Sequence, residues 1–205
     1  MKPLMTTYSG LVIDLSNLQK SDILLTDVAH SLALVNRFNG HTDFPIPVAQ
    51  HSTWVSRLME KHSHIAAWIG LHHDDSEYLL GDITKWFKQS VEMKGYRTIE
   101  KRVQNLCYQA MGVYRLAPFI EEELRKADDL MVRFEAEVGF KGKFRFDDTT
   151  KYPPITPAER ERLAGWRRVD WCEAEAMFLA QAQRLAQWAA ADPTSAGSVP
   201  AATWR

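Results

Sequence analysis

The chain has 205 residues, which is enough for one domain with a substantial hydrophobic core. It is 45% hydrophobic and 25% charged, and its formal net charge is −1, so no strong overall field attracts nucleic acid or an anionic membrane. The two cysteines lie far apart and outside any CxxC pair, which favours core packing over a disulfide and suits a reducing cytosol. The sequence shows neither a signal peptide nor a run of about 20 apolar residues, and we therefore expect a cytoplasmic protein without a membrane partner.

Helical spacing of apolar residues dominates the chain, and no long alternating pattern argues for a sheet. Residues Tyr8–Leu15 allow one short extended segment, and apolar spacing predicts a first helix over Ile23–Val35. The stretch Arg37–Asp43 has the composition of a loop. A second helix is predicted to begin near Pro47, and its apolar positions place His51 on the inward face.

The next apolar run, Ile65–Leu71, ends in a concentration of ionisable groups. A buried element does not normally finish in this way, because desolvating a charge costs several kcal/mol unless the charge is paired or bound to a metal. The ionisable groups are His72, His73, Asp74, Asp75, Glu77 and Asp82.

The second half of the chain is also predicted to be helical. Helices are expected over residues 98–112, where Thr98 would act as the cap, and over 118–139 and 170–189. Asp128 and Glu135 lie on or beside the apolar face of the helix over 118–139, a face that should be dry.

Three polar stretches are predicted to be irregular. Val91–Tyr96 is expected to be a loop, Phe140–Pro154 an exposed loop, and residues 190–205 a disordered tail. The expected fold is therefore all-α, a single-domain helical bundle over residues 1–189 with a short extended segment near its N-terminus.

His51, His73, Asp74 and Asp128 come from three predicted helices, each at or near an inward position. Two imidazoles and two carboxylates suit one divalent transition metal, Co²⁺, Mn²⁺, Zn²⁺, Fe²⁺ or Ni²⁺, with Mg²⁺ also open. Four protein ligands leave coordination positions for water and for a substrate oxygen. Each residue also has a structural interpretation, since an inward histidine is commonly a hydrogen-bonded core residue and Asp128 alone could form an internal ion pair.

Two further carboxylates suit acid–base work near this set. Glu77 follows Asp74 by three residues, so on a helical turn both point to nearly the same side, and Glu77 is the candidate general acid/base. Asp82 could position the attacking water or orient a ligand histidine. The spacing leaves the role of His72 open, and no pattern assigns a role to His41.

The order His51, His73-Asp74, Asp128 resembles the H…HD…D signature of HD-domain metal-dependent phosphohydrolases. The segment LHHDDSEYLLGDI over residues 71–83 is similar to the HDxSE…GD run of one branch of that family. This branch contains bacterial 5′-deoxynucleotidases and phage dATP triphosphohydrolases.

Two further segments carry the resemblance. Lys126–Leu130, with Glu135 after it, resembles the AD helix that supplies the last metal ligand, and Arg37-Phe38 resembles an Arg-Trp pair that precedes the first histidine. The resemblance implies that Arg37 holds a phosphate and that Phe38 packs on the sugar, where an aromatic surface disfavours a 2′-hydroxyl. This chain carries Phe where the characterised relatives carry Trp, which leaves its preference between ribose and deoxyribose open.

The remaining implications of the resemblance concern the fold and the metal site. It implies an HD-type helical bundle that binds one metal, and the lack of any histidine after His73 argues against a two-metal HD site. The implied metal ligands are His51, His73, Asp74 and Asp128, with Glu77 as the catalytic acid/base and Asp82 as a supporting carboxylate.

We therefore expect a hydrolase in which metal-activated water attacks the phosphorus of a nucleotide. A 5′-deoxynucleotidase acting on deoxynucleoside monophosphates is the leading hypothesis, and a dATP-type dNTP triphosphohydrolase is the first alternative. A nucleotide-binding module without turnover and a helical domain with a structural metal are alternatives of other classes. The implied partners are a small nucleotide and further copies of the chain in a dimer or larger homo-oligomer, with no nucleic acid and no membrane.

Overall fold

The computed structural model describes residues 3–146 and 152–191. The part of the chain that the structure describes is 61% helical and 4% strand, which confirms the all-α class predicted from the sequence. In the described residues the α-helices are α1 (Leu25–Leu34), α2 (Val48–Met59), α3 (His64–Leu71), α4 (Glu77–Leu80), α5 (Lys85–Lys88), α6 (Lys94–Ala110), α7 (Pro118–Gly139), α8 (Pro157–Arg162) and α9 (Trp171–Ala191).

A small antiparallel hairpin precedes the helices, formed by β1 (Leu4–Thr6) and β2 (Val12–Asp14). β2 lies inside the predicted extended segment, whereas β1 was not predicted. Ile13 of β2 is buried in the main core. The hairpin turn is fixed to α1 because the buried carboxylate of Asp27 accepts hydrogen bonds from the backbone N–H of Ser9, at 2.6 Å, and from its hydroxyl, at 2.9 Å.

The central element of the bundle is α2. Every one of its residues except Arg57 is buried, and the helix packs against α1, α3, α7 and α9. A helix surrounded in this way must satisfy its own polar side chains inside the protein. The Thr53 hydroxyl donates to the carbonyl of Ala49 at 2.8 Å, and the Ser56 hydroxyl donates to the carbonyl of Ala67, in α3, at 2.7 Å. His51 therefore stands on the most firmly packed helix of the molecule.

The start of α6 differs from the sequence prediction. The prediction of a loop over Val91–Tyr96 is wrong, because a 3₁₀ turn over Val91–Met93 continues directly into α6. Thr98 does not cap this helix; its hydroxyl lies within α6 and contacts the carbonyl of Lys94 at 3.2 Å. Gly95 suggested a loop, yet one glycine costs a helix only about 1 kcal/mol, which the buried face farther along α6 offsets.

The short helix α8 was not predicted, although its start carries a local signal. The Thr156 hydroxyl accepts the backbone N–H of Glu159 at 3.3 Å, and the Glu159 carboxylate accepts the backbone N–H of Thr156 at 2.8 Å. This reciprocal pair is a capping box, and Pro157 occupies the first turn, where its missing N–H costs nothing.

The C-terminal predictions are met in part within the described residues. α9 begins and ends within two residues of the predicted bounds. In the loop predicted over Phe140–Pro154, residues 147–151 lie outside the described residues, and Tyr152 is buried rather than exposed. A disordered tail was predicted from residue 190 onward. Residues 190 and 191 belong to α9, and the tail from residue 192 lies outside the described part of the chain. Among the helices that the structure describes, none combines the length and apolar character of a membrane span.

Gly70 lets α2 and α3 approach closely at the end of α3, just before the turn that contains His73 and Asp74. A methyl group added to its Cα would lie 3.1 Å from Cγ of Met59 and 3.2 Å from Cα of Ser56. We expect Gly70→Ala to lower the free energy of unfolding by about 1–3 kcal/mol, because the backbone of α2 would have to shift. Urea denaturation followed by circular dichroism measures the change. Gly95→Ala is the control, since nothing lies within 4 Å of a methyl group there, and an equal loss in both variants would contradict the explanation.

Candidate metal centre

Three helices bring four ligand-type side chains to one point. α2 contributes His51, the turn after α3 contributes His73 and Asp74, and α7 contributes Asp128. Nε2 of His51 lies 3.3 Å from Oδ1 of Asp128 and 3.6 Å from Oδ2 of Asp74. Nε2 of His73 lies 3.2 Å from the same Asp74 oxygen and 3.9 Å from the same Asp128 oxygen. The structure thus brings together the four residues that the sequence predicted as ligands.

Hydrogen bonds on the outer side of both imidazoles fix the inner nitrogens toward this point. Nδ1 of His51 lies 3.0 and 3.1 Å from the two carboxylate oxygens of Glu135, and Nδ1 of His73 lies 2.9 Å from the carbonyl of Gly70. Since these acceptors require Nδ1–H donors, each neutral ring carries its lone pair on Nε2. Both Nε2 atoms are buried and have no hydrogen-bond partner among the described residues.

This donor set could hold a metal ion. The ligand atoms of His51, His73 and Asp74 all lie within 4.8 Å of one another. Oδ2 of Asp74 is 3.2 Å from Nε2 of His73 and 3.6 Å from Nε2 of His51, separations that one ion with ligand bonds of about 2.0–2.2 Å can bridge. Asp128 adds a fourth donor on the α7 side. Buried imidazole lone pairs without a partner are otherwise costly, so their presence beside two carboxylates fits a cation between them.

Negative charge is concentrated around the same point. Burial by itself lowers the pKa of His73, but Asp74 and Asp128 raise that pKa well above its ordinary value. The pKa of His51 is also raised, against the effect of burial, with Glu135 as a neighbouring carboxylate. An environment that favours a proton on imidazole favours a divalent cation as well, because both respond to the same negative potential.

Glu77 stands beside the ligands as the first residue of α4. It is 3% exposed, its Oε1 lies 3.6 Å from Nζ of Lys88, and its Oε2 has no hydrogen-bond partner among the described residues. Burial raises the pKa of Glu77 well above its ordinary value, and the charges of Asp74 and Asp82 add to the effect. A buried carboxyl group with one unpaired oxygen is suited to accept and release a proton.

Arg37 is buried against the ligand set and held by three carboxylates. Its Nε donates to Glu135 at 3.3 Å, and its Nη1 lies 3.5 Å from Asp74 and 3.9 Å from Asp82. Burial alone would lower the pKa of Arg37, but Asp82 and Glu135 raise it well above its ordinary value. The guanidinium is therefore charged and oriented at the edge of the candidate metal centre.

Phe38 follows in a strained turn. Its backbone φ is 55° and that of Asn39 is 53°, in the left-handed region that side chains rarely adopt. The turn is fixed because the backbone N–H of Phe38 donates to Oδ2 of Asp82 at 3.1 Å, while the ring packs edge-on against Phe140 and Phe144. Asp82 thus holds the turn that carries Arg37 and Phe38, and the role in positioning water that the sequence suggested for it stays a prediction.

These side chains line a cleft of about 280 Å³, close to the lower end of small-molecule sites. Two lysines in its lining already have protein partners: Nζ of Lys85 lies 2.8 Å from Asp129, and Nζ of Lys88 lies 2.6 Å from Glu100. The lining includes Arg37, Phe38, Asp74, Glu77, Asp82, Lys85, Trp86, Lys88, Arg97 and Asp128.

The structure shows where the two histidines lie whose roles the sequence left open. His72 is fully buried, its Nδ1 lies 2.8 Å from Asp75, and its ring packs against Trp68 with the ring centres 4.4 Å apart, so it turns into the core, whereas Nε2 of His73 lies beside Asp74. His41 is exposed just after the 3₁₀ turn Arg37–Gly40.

The sequence places the acidic residue Glu135 on or beside an apolar helix face but does not assign it a functional role. Its carboxylate contacts both His51 and Arg37. A signal was available, because Glu135 follows Asp128 by seven residues, or two helical turns, and so lies on the same face of α7.

Comparison with known proteins identifies relatives but no activity. No protein-family model matches the chain. It is 34% identical over 139 residues to an uncharacterized protein of Rhodobacter capsulatus, covering 63% of this chain and 69% of that protein. It is 29% identical over 129 residues to the uncharacterized protein YfdR of Escherichia coli, covering 63% of this chain and 68% of that protein. Any function has to be argued from the site itself.

Adjacent aspartates on α7 offer a matched test of the metal centre. We expect Asp128→Asn to weaken Mn²⁺ binding at least about tenfold, because a neutral amide replaces an anionic donor. Asp129→Asn should bind Mn²⁺ like the wild type, since Asp129 instead contacts Lys85 at 2.8 Å and Arg125 at 3.2 Å. Titration calorimetry measures both affinities. Unchanged Mn²⁺ affinity in Asp128→Asn would remove Asp128 from the ligand set.

Proposed function

We propose that this chain, which belongs to the family of the uncharacterized Rhodobacter capsulatus protein, is a divalent-metal-dependent phosphohydrolase acting on nucleotides. The observation that carries the proposal is that two carboxylates of the candidate ligand set, Asp74 and Asp128, line one cleft with the buried acid Glu77 and the oriented guanidinium of Arg37, while both also lie beside Nε2 of His51. Structural metal sites are usually closed and rich in cysteine, so this donor set favours catalysis over a structural role.

The metal would be held by His51, His73, Asp74 and Asp128, a set that suits Mn²⁺, Co²⁺, Fe²⁺, Zn²⁺ or Ni²⁺, with Mg²⁺ also open. When bound there, such an ion would supply Lewis-acid chemistry: it would make a nearby water more acidic and offset phosphate charge. The unpaired Oε2 of Glu77 is placed to take the proton from the attacking water.

The reaction that follows is hydrolysis of a phosphate ester. The water oxygen forms a bond to phosphorus, the bond from phosphorus to the ester oxygen breaks, and the proton held by Glu77 passes to the leaving oxygen. Arg37 would bind non-reacting phosphate oxygens, since a guanidinium presents paired N–H donors that match phosphate geometry. Phe38, beside it, offers an apolar surface to the sugar, and its selectivity for deoxyribose stays open.

The cleft favours a monophosphate substrate. Lys85 and Lys88 each contact a carboxylate of the protein, and Arg97 donates to backbone carbonyls, including that of Ser90 at 2.8 Å. A triphosphate would have to compete with these partners for its extra negative charges. We therefore propose a 5′-deoxynucleotidase, with dNTP triphosphohydrolase as the second candidate because the same cations also line the cleft.

A substrate panel tests the proposed activity directly. With Mn²⁺ or Co²⁺ added, we expect the purified protein to release inorganic phosphate from deoxynucleoside monophosphates faster than from dNTPs, because Lys85, Lys88 and Arg97 are already paired within the protein. Ribonucleotides in the same panel measure the sugar preference. Release of triphosphate from dATP would favour the second candidate. A metal-loaded protein that turns over none of these nucleotides, yet binds them in calorimetry, would favour a binding module.

The role of Glu77 has its own test. Glu77→Gln keeps the shape of the side chain but cannot accept a proton, so we expect kcat to fall by about 10²–10⁴-fold. Mn²⁺ affinity should change little, since Glu77 is not one of the four donors. Glu92→Gln, the same substitution at an exposed position, is the control and should retain full turnover. Full activity in Glu77→Gln would refute the assignment.

A further inference from the structure

We propose that Glu135 is a positioning residue that fixes a metal ligand and the phosphate-binding arginine with one carboxylate. The inference rests on the proposed function for the role of Arg37, but its geometry is independent of any turnover. Glu135 lies on the same face of α7 as Asp128, two turns farther along the helix.

The contacts of Glu135 are divided between two functional side chains. Its Oε1 lies 3.0 Å from Nδ1 of His51, and its Oε2 lies 3.1 Å from the same nitrogen and 3.3 Å from Nε of Arg37. A side chain this deeply buried, with no exposed surface, requires partners for its charge. Both partners lie at the candidate metal centre, so the carboxylate belongs to the site and not to general packing.

Each contact has a defined consequence. Accepting the Nδ1–H of His51 fixes the tautomer with the lone pair on Nε2, and it makes the ring a better donor to a cation. Accepting the Nε–H of Arg37 fixes the rotation of the guanidinium, so that Nη1 stays within 3.5 Å of Asp74. Loss of this one carboxylate should therefore disturb two binding events that involve different side chains.

A pair of glutamates on α7 provides the experiment. We expect Glu135→Ala to weaken Mn²⁺ binding by about 10–100-fold, and Glu135→Gln to weaken it less, because the amide oxygen can still accept from His51. At saturating Mn²⁺, the affinity for sulfate should fall severalfold in Glu135→Ala. Sulfate is used because it is a tetrahedral dianion that does not precipitate Mn²⁺. Glu137→Gln is the control, because Glu137 is half-exposed and contacts only Arg160, at 2.8 Å, among the described residues.

A purely structural role would lower the midpoint of urea unfolding without changing either affinity. Unchanged affinities for Mn²⁺ and sulfate in a folded Glu135→Ala protein would overturn the proposal. A second measurement does not depend on the folding of Glu135→Ala. With Zn²⁺ bound, long-range ¹H–¹⁵N spectra should show His51 protonated at Nδ1, with the signals assigned by their loss in His51→Gln. Protonation at Nε2 instead would overturn the proposal even if Glu135→Ala does not fold.

These outcomes are separable from those of the proposed function. A wild type that binds Mn²⁺, shows the expected losses at Glu135 and hydrolyses no nucleotide would refute the phosphohydrolase and leave the positioning role intact. A wild type that binds no Mn²⁺ would refute both.

Discussion

The structure depends on how negative charge is balanced at one buried point. Five carboxylates lie around two imidazoles and one guanidinium, and a low-polarity interior would not tolerate this arrangement without strong pairing. The excess of negative charge raises the pKa values of both imidazoles and of Arg37, against the effect of burial. A divalent cation would neutralise the same excess with two positive charges at one place. Charge as well as ligand geometry therefore suits this site to a metal ion.

The bundle places this charge on elements of unequal rigidity. His51 stands on α2, which is almost wholly buried, and Asp128 stands on α7, which packs directly against α2. The side chains that would meet a substrate come from shorter segments: the 3₁₀ turn carrying Arg37 and Phe38, and the four-residue helix that Glu77 begins. Two of the four candidate ligands therefore stand on long, packed helices, whereas His73 and Asp74 lie in the turn after α3 and the proposed substrate contacts lie in short segments. Side chains on long, packed helices are held more precisely than side chains on turns, so α2 and α7 would fix the geometry of the candidate metal centre.

Periodicity predicted much of this fold and site, and the limits of that prediction are physical. The inward position of His51 followed from its apolar neighbours on α2, and the misplaced acid Asp128 from the dry face of α7. Periodicity could not separate His72 from His73, because that choice depends on a buried contact with Asp75 formed only in three dimensions. Likewise, Asp82 bonds to the backbone of Phe38, 44 residues away, a partner that no local pattern indicates.

The choice between turnover and simple nucleotide binding depends on Glu77. A binding module needs cations and an apolar wall, and Arg37, Lys88 and Phe38 would supply them without any buried acid. Whenever Glu77 is ionised, its carboxylate lies near those of Asp74 and Asp82 and repels an anionic ligand, so a module selected for affinity alone would gain by losing it. Its presence beside the candidate ligands is explained if Glu77 accepts and then releases a proton, since general acid–base catalysis requires such a group within reach of the reacting oxygen.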